Sequence, residues 1–201
     1  MTTLKVVEND RHWMYFLSLE EDIIRLSRNI EFSERNMDVF SIETTRIFLA
    51  TCSEVDVLLK TLAAPHVAKE RKNLNIGDCR AALEDRYPII KEAIVPIPRF
   101  QLRLSPFASW TEKKQPAWWD DHTLVKHQRY DYYAKATVRN LLSALAGLLV
   151  VALAYIQETG WHVVRPAPTV MHPYWKQASY CLDAHGHLID LRPEHLRPEG
   201  C

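Results

Sequence analysis

Apolar residues recur every three or four positions along much of this chain, and proline or polar runs break the pattern. From Asp10 to about Phe32, Trp13, Phe16, Leu17, Ile24 and Leu26 alternate with Glu20, Glu21, Asp22, Arg25 and Arg28. That spacing predicts a helix with Asp10 as its N-cap. The Glu20-Glu21-Asp22 run is expected to sit partly on a solvated face of it. A polar break, Ser33-Glu34-Arg35-Asn36, follows. Ser41 then has the form of a second cap, with Glu43 in the first turn. Ile47, Phe48, Cys52, Val55 and Leu58/Leu59 fall three and four apart and form one buried stripe, which Pro65 ends.

Residues 66–77 are polar and hold Asn73, Asn75 and Gly77, so they read as a loop. Asp78 is expected to cap a short helix over residues 79–87 that stops at Pro88. Between Ala93 and Phe107, Pro96, Pro98 and Pro106 exclude helix and predict extended chain or a short edge strand. Pro116 fits the first turn of a helix that runs through Trp118 and Trp119 to about Gln128. Another helix is expected from about Asp131 to Glu158. It contains Leu141 to Ile156, which carries no charge but is shorter than the roughly 20 residues of a membrane span. It reads as the central helix of a bundle, and no membrane association is expected. After Gly160 the chain is proline-punctuated, and residues 179–191 read as two short strands turning about Ala184-His185-Gly186. The fold class is therefore all-α, a bundle of four to five helices with a small extended insert and a C-terminal β-hairpin/coil extension. Residues 1–160 form the helical domain and residues 161–201 the extension.

Composition narrows the function. With 201 residues and 47% apolar content, the chain can bury a real core, which excludes a disordered tail protein. Lys+Arg and Asp+Glu are 25 each, which excludes a uniformly basic nucleic-acid coat. The zero is uneven: residues 1–60 balance at −4, residues 61–110 at +3 and residues 111–140 at +2. A mildly basic middle is weak support for a polyanion partner. Five glycines do not build a G-x-G-x-x-G or G-x-x-x-x-G-K-[ST] phosphate cradle. Cys52, Cys79, Cys181 and Cys201 show no C-x-x-C spacing, and the first ten residues hold no apolar signal region, so a reducing cytoplasm is expected. His172, Cys181, His185 and His187 are zinc-type donors, but they are loosely spaced without paired cysteines. No metal and no cofactor is assigned.

The densest chemistry lies between Trp118 and Tyr133. On a helix, His122 and Lys126 share a face, and Trp119, Thr123 and His127 share the neighbouring one. Such a surface offers an imidazole for proton transfer, cations for a phosphate, and aromatic rings that either stack on bases or fill the core. His127, Arg129 and Lys126 are the candidate catalytic residues. His122, Trp119, Thr123 and Tyr130 are the candidate binding residues.

The order of landmarks carries a resemblance. The acidic first helix and the Asn36 turn precede Ser41. The Ser53-Glu54-Val55-Asp56-Val57-Leu58-Leu59-Lys60 pattern and the Ser105 to Trp110 stretch follow. The W-W-x4-x-V-K-H-x-R core comes next, and then the long apolar helix. Over about residues 10–158 this resembles uncharacterised bacterial proteins of the HEPN-like superfamily, named for higher eukaryotes and prokaryotes nucleotide-binding. There the core commonly reads W-W-x-x-Y-N-x-V-K-H-x-R; here His122 and Thr123 replace the Tyr and Asn.

The resemblance implies a helical fold and, in active members, metal-independent RNA cleavage by an R-x4–6-H motif paired across a dimer. The His acts as general acid or base and the Arg stabilises phosphorane charge. His127 occupies the His position, but Asp120, Asp121 and His122 stand where the Arg belongs, and carboxylates there repel a phosphate. The one literal R-x6-H, Arg165 to His172, contains Pro166 and Pro168 and cannot be helical. The expected function is a non-catalytic or degenerate interaction or RNA-binding module of a bacterial defence or toxin–antitoxin type system. It is expected in the cytoplasm as a homodimer or a subunit of a larger complex, with RNA as a partner. One alternative is a ribonuclease using His127, with Arg129 or a partner chain replacing the missing Arg. A second is a nucleotide or small-molecule sensor with a pocket near Trp119, His122 and His127.

Overall fold

Side-chain caps placed by the local sequence start most of the longer helices. The computed structural model describes residues 6–8, 10–68, 73–159, 163–171, 180–182 and 188–190. Helix α1 (Arg11–Leu26) begins where Asp10 accepts the Trp13 N–H at 2.9 Å. It ends at Leu26, earlier than Phe32, which is buried from the following loop. Helix α2 (Ile42–Ala63) starts with a reciprocal box between Ser41 and Thr44.

Helix α3 (Ile76–Leu83) corrects the assignment of its cap. Asn75 Oδ1 accepts the Asp78 N–H at 3.1 Å, and Asp78 Oδ2 accepts the Asn75 N–H at 3.0 Å. Asn caps as well as Asp does, and Asp78 at the third helical position completes the box. Pro88 starts a short helix, α4 (Pro88–Glu92), because its fixed φ suits a first turn. The proline-rich insert is an antiparallel pair, β2 (Val95–Ile97) and β3 (Leu102–Leu104), in register Val95↔Leu104. Gln101 turns between them in the left-handed region, with φ 55.

Helix α5 (Ala117–His127) follows Pro116, and a four-residue helix α6 (Arg129–Tyr132) follows it. The single helix expected from Asp131 to Glu158 is interrupted. Thr137 accepts the Asn140 N–H at 3.2 Å, so α7 (Val138–Glu158) starts there. Asn140 Nδ2 donates to the Lys135 carbonyl and to Asp121 Oδ2, both at 2.8 Å, which holds the turn.

Helix α7 is the hub of a mostly helical architecture. Every residue from Ala144 to Ala154 is buried, as expected of a helix that is apolar all round. By length and composition it could cross a membrane (mean hydropathy 1.9), yet 78% of its most apolar window is buried inside the protein. Gly147 sits at a close approach: a Cβ there would lie 3.2 Å from Trp118 and 3.3 Å from Phe107, tighter than ordinary contact. Trp118 donates from Nε1 to the Pro106 carbonyl at 2.7 Å and packs edge-on against Phe107. These contacts fix α5 against the core.

The start of the extension packs on α1. Strand β1 (Val6–Glu8) pairs in parallel with β4 (Val163–Arg165). Trp13 Nε1 donates to the Pro166 carbonyl at 2.9 Å. Within the run expected to sit partly on a solvated face, Glu20 is the buried member, 1% exposed. Its oxygens accept the Thr169 N–H at 2.8 Å, the Thr169 hydroxyl at 2.9 Å, and the N–H groups of Val170 and Met171 at 2.9 and 3.0 Å. The reason is helical spacing, which sets Glu20 on the same face as Trp13, Phe16 and Ile23. Glu21 and Asp22 remain outside, paired with Arg25 and Arg46. The expected hairpin is formed by β5 (Tyr180–Leu182) and β6 (Leu188–Asp190), in register Cys181↔Ile189. His172, His185, His187 and the end of the chain, residues 192–201, lie outside the described residues.

Candidate functional site

Helix α5 has two different faces. Trp118 and Val125 enter the core. Trp119, His122, Thr123, Lys126 and His127, at helical spacings of three and four, line a cleft of about 500 Å³. The facing wall is α2, which contributes Leu49, Ser53, Asp56 and Lys60. Gln115 and the start of α3, at Leu74, Asn75 and Ile76, complete it. The volume lies within the range of small-molecule sites.

Five of the seven candidate residues therefore converge. Arg129 and Tyr130 do not line the cleft. Helix α5 ends at His127, and Gln128 leaves the helical region (φ −136, ψ 49), so Arg129 opens a separate helix. Tyr130 is 99% exposed. The reading of the sequence missed Asp56, Lys60, Ser53, Asn75 and Gln115 as site residues. Ser53, Asp56 and Lys60 do share one face of α2 by spacing, but only the packing of α2 beside α5 makes that face a wall.

His122 is 5% exposed, with its ring 5.2 Å from Trp119 and 6.0 Å from Phe48. Burial, reinforced by the Lys126 charge, pushes its pKa down from 6.5 to about 4, and the Asp56 carboxylate pulls the other way. The ring is neutral at pH 7. Its Nδ1 is buried and has no hydrogen-bond partner among the described residues. A neutral imidazole holds one N–H and one lone pair.

The cations differ in their freedom. Lys60 is ion-paired with Asp56 at 2.5 Å. Lys126 and His127 are exposed in the last turn of α5, where positive charge complements the helix dipole. The two aspartates expected to repel a phosphate do not line the cleft. Asp121 accepts from Asn140 at 2.8 Å and pairs with Lys135 at 3.3 Å, and Asp120 is exposed. Among the described residues, Asp56 is the carboxylate that lines the cleft, and no arginine lines it.

Two other features lie away from the α5 wall. Burial raises the Cys52 and Cys79 thiols, Cys79 to about 11 with Asp56 adding to the effect, so neither is an activated nucleophile. His12 Nδ1 lies 2.5 Å from Glu54 Oε1, and its ring meets Tyr155 edge-on at 5.2 Å, tying α1, α2 and α7 together. Among the described residues, no three His, Cys, Asp or Glu side chains come together as a metal site. Compared with protein-family models, curated proteins and solved structures, the chain matches none.

Proposed function

We propose that this protein is a non-catalytic HEPN-like helical module that binds RNA in the cleft between α2 and α5. The observation that carries this reading is the convergence of Trp119, Lys126, His127 and Lys60 on one cleft that no arginine lines among the described residues. Cations lining a cleft are the chemistry that holds RNA phosphate, while Trp119, 8% exposed, forms an apolar edge of the wall beside them. Asp120, Asp121 and His122 stand where the motif's arginine would neutralise a phosphorane. His122, neutral and buried, is a hydrogen-bonding ring rather than a proton shuttle near pH 7. A bacterial defence or toxin–antitoxin setting, the cytoplasm, and assembly as a homodimer or within a larger complex follow from the resemblance of the sequence.

Fluorescence anisotropy with a labelled single-stranded RNA tests this. The wild-type chain is expected to bind RNA without cleaving it. Lys126→Ala is expected to weaken binding about fivefold and to flatten its salt dependence, as loss of one phosphate contact does. The ribonuclease reading keeps one point of support, the exposed His127 at the cleft. RNA cleavage that disappears in His127→Ala would replace the binding module with the enzyme.

A further inference from the structure

Among the described residues, Asp56 is the negative group lining the cleft, beside cations, neutral polar side chains and the apolar Leu49, Leu74, Ile76 and Trp119. It holds Lys60 Nζ at 2.5 Å, and its charge reaches both the His122 ring and the Cys79 thiol. His122 does not offset it, because the neutral ring adds a hydrogen-bonding edge without adding charge. A bare phosphate entering beside Lys126 and His127 therefore meets a like charge, and it finds Lys60 already engaged. A ligand that brings hydroxyl donors with its phosphate meets an acceptor instead. An ionised carboxylate accepts several hydrogen bonds at once.

Resting on the RNA-binding reading, we propose that Asp56 is the specificity-determining residue of the cleft. It accepts hydrogen bonds from the ribose hydroxyls of a ribonucleotide whose phosphate lies at Lys126 and His127. In this role it is a filter. It favours ribose over deoxyribose and works against inorganic phosphate. The same cis-diol occurs on a free ribonucleoside 5′-monophosphate and at the 3′ end of an RNA strand.

Calorimetric titration of the full chain tests the proposal. The probes are inorganic phosphate, adenosine 5′-monophosphate, its 2′,3′-dideoxy analogue, and a short RNA with or without its terminal hydroxyls. The wild type is expected to prefer the diol-bearing form about tenfold, the scale of hydrogen bonds to a charged acceptor. Asp56→Asn is expected to abolish that preference and to tighten inorganic phosphate at least about threefold, because it removes the like charge and releases Lys60. Lys60→Ala, which leaves the carboxylate, is expected to keep the ribose preference, so a folding defect in one variant does not decide the outcome. Preference confined to the mononucleotide identifies a free nucleotide as the ligand, and preference confined to the RNA identifies a strand end. Equal binding of diol-bearing and diol-lacking forms by the wild type overturns the proposal, as does an undiminished preference in Asp56→Asn. Failure of the underlying reading has a different signature, in which Lys126→Ala leaves the affinity of every probe unchanged.

Discussion

Glu20 and His122 are both buried polar side chains on helices, 1% and 5% exposed, and their surroundings are opposite. Glu20 accepts four hydrogen bonds from Thr169, Val170 and Met171, a segment some 150 residues away in sequence. His122 Nδ1 has no partner among the described residues, and its ring lines a cleft. An unsatisfied buried polar group costs free energy, so folds rarely keep one without reason. The contrast teaches how to separate the two roles. A buried polar group with all its partners in the protein ties distant segments together, whereas the His122 ring makes no such tie and lines the cleft instead.

The largest expected effect tests the satisfied side. Glu20→Ala leaves four donors facing a void and is expected to lower stability by about 4 kcal/mol in urea melts, with new protease sensitivity near residues 166–171. A loss under about 1 kcal/mol would dissolve the contrast with His122.

Acid tests the other side. The His122 pKa is depressed in the fold, from 6.5 to about 4, so between those values the unfolded chain binds more protons than the folded one. Stability from this group is present above pH 6.5 and is lost as pH falls toward 4, by at most about 3 kcal/mol. His122→Phe, packed between Trp119 and Phe48, is expected to flatten that part of the stability–pH curve. An unchanged slope would show that His122 is not held neutral by its surroundings.

Gly147→Val probes the core face of α5. The added carbons meet Trp118 and Phe107, and overpacking of this kind costs about 2 kcal/mol. Because Trp118 neighbours Trp119 on α5, the variant is expected to weaken ligand binding while leaving the protease resistance of residues 166–171 intact. The smallest effect on stability belongs to Lys126→Ala. The side chain is exposed, so its thermal midpoint is expected to correspond to a change within about 0.5 kcal/mol. A larger change would make Lys126 a structural residue and remove it from the cleft's chemistry.

Local signals were read well where their partners lie within one helical turn. Asp10 and Ser41 are caps because an acceptor three residues before an N–H needs nothing distant. The apolar stripe of α2 and the all-round apolarity of α7 likewise announce their burial. Two errors were also local but involved near-equal competitors. Asn75 and Asp78 are both capping residues, and the reciprocal box uses both. The break before α7 depends on Asn140 reaching Lys135 and Asp121, a choice that helical periodicity does not show. The candidate site was half legible. The face of α5 follows from spacing, but its opposing wall of Asp56 and Lys60 comes from another helix.

The sequence by itself determined the helical class, the caps of α1 and α2, the buried central helix and the grouping of Trp119, His122, Thr123, Lys126 and His127 on one side of α5. All of these depend on residues three to eight positions apart. Tertiary structure alone decided that Glu20 is satisfied and buried, that Asp121 is spent on a turn, and that Asp56 is the carboxylate facing those five residues. The free energy of a polar group depends on which donors, acceptors and water reach it. In this fold those partners come from segments tens to more than a hundred residues away, a distance over which periodicity carries no signal.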